Sequence, residues 1–321
     1  MIRALARQAA QAAAVMFGIS VLVFLIFFAT PGADPAARLA GRGASPETLA
    51  SVRREFGFDR PLPIQYVRMM DRLFVKRDLT SFVNRGDPVV PAVLRAAPVT
   101  LALATGAAVL WLAAGLAIAL LAAAWRGSAM DRVLVVAGLV GVSVPAFWLG
   151  EVINLLTQSR LHDTWLFAWV PPLGSRSFAA DPSEWVRGMI IPWATLALLY
   201  AGIYGRVLRA SLVEALGQDF IRTARAKGIS ERQVLVRHAL RLSLVSVVAL
   251  FGLDFGALIG GGTLLTEVVF GLHGLGRLTY DALQNLDLPV IMATVLYAAF
   301  FVVIVNAAAD AFQVLLDPRL R

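Results

Sequence analysis

The stretch Gly217-Gln-Asp-Phe-Ile-Arg-Thr-Ala-Arg-Ala-Lys-Gly228 decides how this chain is read. It is polar and basic, yet it lies between two long apolar runs. The interval from Arg187 to Arg206 holds 18 residues without a charge, and that from Arg241 to Glu267 holds 25, interrupted only by Asp254. A spanning helix needs about 20 apolar residues, so the stretch is a loop between two membrane spans. Leu212, Ala215, Leu216, Phe220, Thr223 and Ala224 recur at helical spacing as one face. Glu214, Gln218, Arg222 and Arg225 occupy the other. Gly228 is placed to end that helix in the left-handed conformation. Ser230 with Gln233 three residues on forms a capping box, and Ile229 with Val234 a hydrophobic staple. Glu231 suits the positive end of the second helix. The expectation is helix, tight glycine turn, helix. A corner so fixed suits a lever, but an amphipathic loop lying on lipid headgroups also carries arginines. Spacing alone leaves both open.

The rest of the chain extends the membrane reading. Hydrophobic residues make up 59% and the mean hydropathy is +0.73, whereas soluble chains are about half apolar. Further charge-free intervals run from Arg7 to Asp34 (26 residues), Arg95 to Arg126 (30), Arg132 to Glu151 (18) and Asp287 to Asp310 (22). Open-edged strands are excluded, because lipid offers no partner to unpaired backbone groups. The chain therefore reads as an all-α, polytopic membrane protein with six transmembrane helices: 9–30, 98–124, 133–156, 189–207, 242–266 and 288–312. Between them lie residues 31–97, 157–188, 208–241 and 267–287, with ends at 1–8 and 313–321. In the 31–97 segment Ser45 is a cap, Pro46 the first helical residue and Gly57 the stop, which predicts a helix over 46–56. A second amphipathic helix is expected from Ile64 to Phe74. The region Trp165–Trp185 is rich in Trp and Pro, as suits the membrane interface.

Six spans put both termini on one side. That side carries Arg3 and Arg7, Arg126 and Arg132, eight Lys and Arg between 206 and 241, and Arg319 and Arg321. The short loops opposite carry only Arg160, Arg176 and Arg187 in one and Arg277 in the other. Positive charge marks the cytoplasmic side, so the termini and the 208–241 loop are expected there. The net charge of +8 is thus topology, and no basic soluble domain exists to hold nucleic acid. The apolar run at 9–30 exceeds the usual signal-peptide core of about 7–15 residues and reads as a retained helix. There is no cysteine.

Catalytic chemistry is not evident. The two lysines, Lys76 and Lys227, follow no phosphate-cradling glycine loop. His162, His238 and His273 stand far apart, without metal-binding spacing. No G-x-S-x-G occurs. The expected roles are therefore non-enzymatic, with no catalytic residue, no cofactor and no metal held by this chain.

Several motifs occur in a telling order. Arg222-Thr-Ala-Arg-Ala-Lys-Gly228 is similar to the E-A-A-x-x-x-G loop of ABC importer permeases, which presses on the ATPase subunit. Thr30-Pro-Gly-Ala-Asp-Pro35, Gly57-Phe-Asp-Arg-Pro-Leu-Pro-Ile-Gln-Tyr66, Ser143-Val-Pro-Ala-Phe-Trp-Leu-Gly150, Glu267-Val-Val-Phe-Gly-Leu-His-Gly-Leu-Gly-Arg277 and Leu316-Asp-Pro-Arg319 resemble, in sequence, motifs of the dipeptide/oligopeptide branch, which includes nickel and glutathione permeases. Arg222 stands where the general motif has Glu, and His238-Ala-Leu-Arg241 replaces its I-x-L-P ending, an arrangement common in the peptide branch. Arg77-Asp-Leu-Thr80 and His273 depart from the pattern. The resemblance implies a type I ABC importer permease fold, in the plasma or inner membrane of a bacterium. It implies a second homologous permease as heterodimer partner, two ATP-binding subunits or domains that hold ATP and Mg, and an extracytoplasmic substrate-binding protein. It makes Asp219, Phe220, Arg222, Thr223, Ala224, Arg225, Lys227, Gly228 and His238 the ATPase-coupling candidates.

Candidates for the pathway or for packing are Asp254, Gly252, Gly256, Gly260 and Glu267. A mid-membrane carboxylate costs about 2.5–3.5 kcal/mol on insertion scales. Asp254 therefore either lines a wet pathway or is satisfied by an interhelical partner, for which Glu151, Asn154, Asn306 and Asp310 are available. The glycine stripe reads as close helix packing. Two other classes compete: an ion-coupled secondary transporter using Asp254, which would show inverted repeats, and a non-transporting membrane scaffold. The sequence does not name a substrate.

Overall fold

The computed structural model describes residues 2–28, 36–37, 44–84, 86–125, 127–129, 131–133, 136, 144–174 and 178–316. Eleven helices organise the described chain: α1 Ile2–Phe28, α2 Pro46–Phe56, α3 Leu62–Met70, α4 Val89–Ala124, α5 Ala146–Leu155, α6 Pro182–Leu216, α7 Asp219–Ala226, α8 Glu231–Gly262, α9 Leu264–Val269, α10 Leu275–Asn285 and α11 Leu288–Leu316. Among the described residues there is no strand, only an isolated bridge between Thr80 and Pro88.

Five described helices are long and apolar enough to cross a membrane: Ala10–Phe28, Val89–Ala124, Pro182–Leu216, Glu231–Gly262 and Leu288–Phe312. Within the third expected span, 133–156, residues 134–135 and 137–143 lie outside the described residues, as do Thr30-Pro-Gly and the tail at 317–321. What is described of that span is α5, which starts after Pro145. Helix α6 runs beyond its apolar stretch into a polar first turn, capped by Asp181, and α4 extends from Val89 to Ala124 across Pro98.

The chain divides into two units, residues 1–99 with 274–303, and residues 100–273 with 304–321. In the first, Phe24 on α1 stacks on Phe28 at 4.4 Å and meets Tyr66 of α3 edge-on at 5.4 Å. Tyr66 Oη and Ser20 Oγ lie 2.7 Å apart. Leu73, Leu79, Phe82, Val93, Leu275 and Ile291 complete this core. Asp287, buried at the start of α11, accepts from Ser81 Oγ and from the Phe82 amide at 3.1 Å. Two hydrogen bonds to the charged group make its burial tolerable. Helix α2 forms as its sequence dictates: Ser45 Oγ accepts from the Thr48 amide, Pro46 opens the helix and Gly57 closes it at φ 72°. Helix α3 departs from expectation. It ends at Met70 and passes through a wide turn, Asp71–Lys76, before Arg77 takes φ 55°.

The second unit is held by close helix crossings that lack of a side chain permits. On α4, a Cβ at Gly106 would lie 2.1 Å from the ring of Trp193 of α6, whose Nε1 donates to the Ala102 carbonyl at 3.0 Å. A Cβ at Gly115 would lie 2.8 Å from Tyr204 Cβ and 3.3 Å from the Gly205 amide nitrogen. Small residues let backbones approach this way in membranes. Near the end of α6, Arg209 makes a two-pronged ion pair with the buried Asp131, at 2.6 and 2.5 Å, and Asp131 also accepts from the Gly127 amide. Asn154 of α5 donates to the Val269 carbonyl of α9 at 3.2 Å.

The expectation of one helix over 242–266 does not hold. Helix α8 loosens to wide turns at Leu258–Gly262 and Gly261 turns to φ 140°, after which α9 begins at Leu264. Gly261 makes this bend, because glycine alone enters that region without a Cβ clash.

Candidate coupling corner and intramembrane carboxylates

Helix α6 stops at Leu216, and α7 starts afresh at Asp219. This break resets the helical phase. Counting one periodicity through Gly217 and Gln218 therefore assigns the wrong face to α7. Ile221 and Ala224 are the residues of α7 buried within this chain, at 0% and 6% exposure. They rest on the first turns of α8, where Val234 and Ala239 are fully buried. Phe220, Arg222, Thr223, Arg225 and Lys227 point outward, with Phe220 44% exposed. Phe220 and Thr223 thus do not share a face with Ala224 as expected, and Ile221 was missed. The outward face is an exposed aromatic ring amid three cationic side chains.

The corner itself is rigid. Gly228 adopts φ 77°, its amide donates to the Arg225 carbonyl at 2.9 Å, and the Ile229 amide donates to the Ala224 carbonyl at 3.3 Å. Arg225 grips Glu231 across the turn through Nε and Nη2, at 2.7 and 3.0 Å. The Arg225 guanidinium holds the Glu231 carboxyl below its ordinary range. The capping box is not formed, because Ser230 makes no side-chain bond to the helix start. The Arg225–Glu231 pair fastens the corner instead. Asp219 adds an exposed pair with Arg222 at 3.3 Å, and His238 lies half-buried on α8. Gly228→Val is expected to strain this turn by roughly 1–2 kcal/mol, since nothing but its φ opposes a side chain there. Proteolysis of the 217–231 segment in purified protein should quicken; an unchanged rate would show that the turn tolerates the substitution.

Within the second unit, Asp254 of α8 is half-buried and accepts from Tyr204 Oη of α6 at 3.0 Å. The partner is thus a tyrosine on the neighbouring helix, not Glu151, Asn154, Asn306 or Asp310. Nothing in the hydrophobic pattern singled it out. Gly252 and Gly256 are buried and Gly260 is exposed. A Cβ at Gly252 would lie 2.4 Å from the Ala309 Cβ of α11, so this end of the stripe is a helix contact. Gly260 instead belongs to the bend. Glu267 is wholly buried on α9 and accepts from Thr100 Oγ1 at 2.7 Å and Thr263 Oγ1 at 3.0 Å. Among the described residues no cluster of His, Asp or Glu is placed to hold a metal.

Among the described residues the chain is all-helical, with a basic helical corner between two long apolar helices. Residues 115–321 match the family described as the binding-protein-dependent transport system inner membrane component, and residues 1–104 match its N-terminal companion. The chain belongs to this family, and has the type I importer permease fold. It is 39% identical over 315 residues to a protein of Brucella abortus (strain 2308) named as a peptide transport system permease, covering 98% of each chain. It is 33% identical over 324 residues to the DdpB protein of Escherichia coli (strain K12), named for a D,D-dipeptide transport system, covering 95% of this chain and 94% of that one. It is 35% identical to the glutathione transport system permease GsiC of Salmonella paratyphi A, over 94% of each. The protein is therefore a multi-pass inner-membrane permease component of a binding-protein-dependent ABC transport system.

Proposed function

We propose that this chain forms half of the translocation pathway for di- or oligopeptides, or similar small solutes, and that α7 is the lever through which ATP hydrolysis drives it. The carrying observation is the outward face of α7. Phe220 presents an exposed ring on a short helix whose inner face is anchored by Ile221 and Ala224 and whose far end is fastened at Gly228 and by Arg225–Glu231. A side chain so presented fits a groove on another protein. The Arg225–Glu231 pair and the Gly228 turn pass displacement of α7 directly into α8, while Gly217 passes it into α6.

The chain carries no phosphate-binding loop, so ATP and Mg sit on two partner ATP-binding subunits or domains. A second, homologous permease supplies the other half of the pathway, and an extracytoplasmic binding protein delivers the solute. Both termini and α7 face the cytoplasm, where positive charge concentrates. The relatives' names supply the solute class. Reconstituting the complete transporter in liposomes with its binding protein tests the reading. Peptide uptake should require ATP and persist when ion gradients are collapsed. Uptake driven by a proton gradient without ATP would instead establish an ion-coupled carrier.

A further inference from the structure

We infer that Asp254, with the aromatic rings around it, is a recognition point for the ammonium group of the transported solute; this rests on the peptide-permease reading above. Tyr204 Oη donates to Asp254 Oδ2 at 3.0 Å, and no described residue donates to Oδ1. Among the described residues no Lys, Arg or His pairs with this carboxylate. A carboxylate at membrane depth normally pairs or faces a wet cavity. Asp254 has one neutral donor and a half-exposed side chain.

Its surroundings select the counter-charge. Tyr204 and Trp111 are buried behind it. Trp111 lies 4.6 Å from the ring of Tyr200, 5.9 Å from Tyr204 and 6.1 Å from Phe251, and Phe255 stacks on Phe251 at 5.1 Å. Tyr200, Phe251 and Phe255 are half-exposed, so their rings stand at the rim. Ring faces attract cations and offer nothing to anions. Tyr204, Phe251, Phe255 and Phe312 line a cavity of about 630 Å³ whose other walls are apolar, among them Leu112, Val247 and Ala309; Asp254 adjoins it through its bond to Tyr204 and is not part of its wall. A carboxylate and aromatic rim beside an apolar cavity match an ammonium next to an apolar side chain. The amino-terminal residue of a peptide has that form. The ammonium brings three donors, one of which Oδ1 can take.

The protection measurement needs no binding protein; the uptake measurement uses liposomes with the binding protein present. The complete purified transporter in lipid nanodiscs is treated with a membrane-permeant carbodiimide, and modification of Asp254 is followed by peptide mass spectrometry. The probes are trialanine, N-acetyl-trialanine, methylammonium chloride and sodium chloride. Trialanine and methylammonium should slow modification of Asp254 at least threefold, whereas the acetylated peptide and sodium chloride should leave it unchanged. No modification of Asp254 at all would mean that a partner helix or lipid seals it, and the inference fails. Equal protection by all four probes, or by none, overturns it too. In parallel, Asp254→Asn should lower trialanine uptake at least tenfold with normal complex yield and normal ATPase stimulation. Tyr204→Phe, which keeps the ring, should give a smaller loss. If complex yield falls in step with uptake, Asp254 is a packing partner and the inference is wrong. Should the wild type fail to carry trialanine while methylammonium still protects, the cation site stands and the peptide reading falls.

Discussion

Phe220→Asp is expected to abolish ATP-driven uptake while leaving the permease folded and in the membrane. The side chain is 44% exposed and contributes little to its own chain's packing, so the change should move the subunit's own stability by no more than about 0.5 kcal/mol. At the ATPase the same charge would be carried into an apolar groove without a partner. A loss of roughly 3 kcal/mol, the scale of an interface anchor, weakens association about a hundredfold. The measurement is co-purification of the ATP-binding subunits, together with hydrolysis stimulated by loaded binding protein in liposomes. Ala224→Glu is the informative contrast. Ala224 is buried within this chain, so that change should reduce the yield of folded permease rather than uncouple a folded one. If Phe220→Asp retains both co-purification and stimulated hydrolysis, α7 does not couple the subunits, and the lever reading is lost.

The two substitutions also show what the sequence could and could not disclose about this corner. Gly228 was legible because a terminal glycine has one common use, and its φ of 77° is that use. The orientation of α7 was not legible. Gly217 has φ −83°, within reach of any residue, so no signal in the composition marks the break that rotates Phe220 and Thr223 outward and Ile221 inward. Likewise Ser230 and Gln233 satisfy the capping pattern by spacing, but Arg225 reaches Glu231 across the turn and fastens the corner in another way. That pairing joins residues on two helices, which periodicity within one helix does not encode.

In the membrane segments the same limit recurs. Charge-free intervals pointed to the five described helices long and apolar enough to cross a membrane, because hydrocarbon excludes charge over a fixed length. They carry no information on which helix faces which. The partner of Asp254 is a tyrosine fifty residues earlier, and the partners of Glu267 are two threonines, one of them on α4. Tyrosine and threonine are ordinary in an apolar run, so nothing flagged them. Gly260, expected in the packing stripe with Gly252 and Gly256, lies instead at a bend, where its neighbour Gly261 takes φ 140°.

Gly115→Leu is the second large effect to expect, and it tests the crossing of α4 with α6 rather than the corner. Close approach there rests on the absence of a side chain at Gly115. Even a methyl would stand 2.8 Å from Tyr204 Cβ and 3.3 Å from the Gly205 amide nitrogen. Neither atom can rotate away, as one is backbone and the other is fixed to it. Gly205 is less constrained: its added Cβ would meet Ile118 Cγ2 at 2.6 Å and Cβ at 3.0 Å, both side-chain atoms, with the nearest backbone atom at 3.5 Å. Overpacking typically costs about 1–3 kcal/mol, and Gly115→Leu should exceed the upper end because the helices must separate. Separation would also displace Tyr204 from Asp254. The expected order of thermal stability, read by loss of monodisperse complex on heating in detergent, is wild type, then Gly205→Ala, then Gly115→Ala, with Gly115→Leu failing to yield complex. A Gly115→Leu protein that assembles and melts like the wild type would show that α4 and α6 do not meet at this glycine.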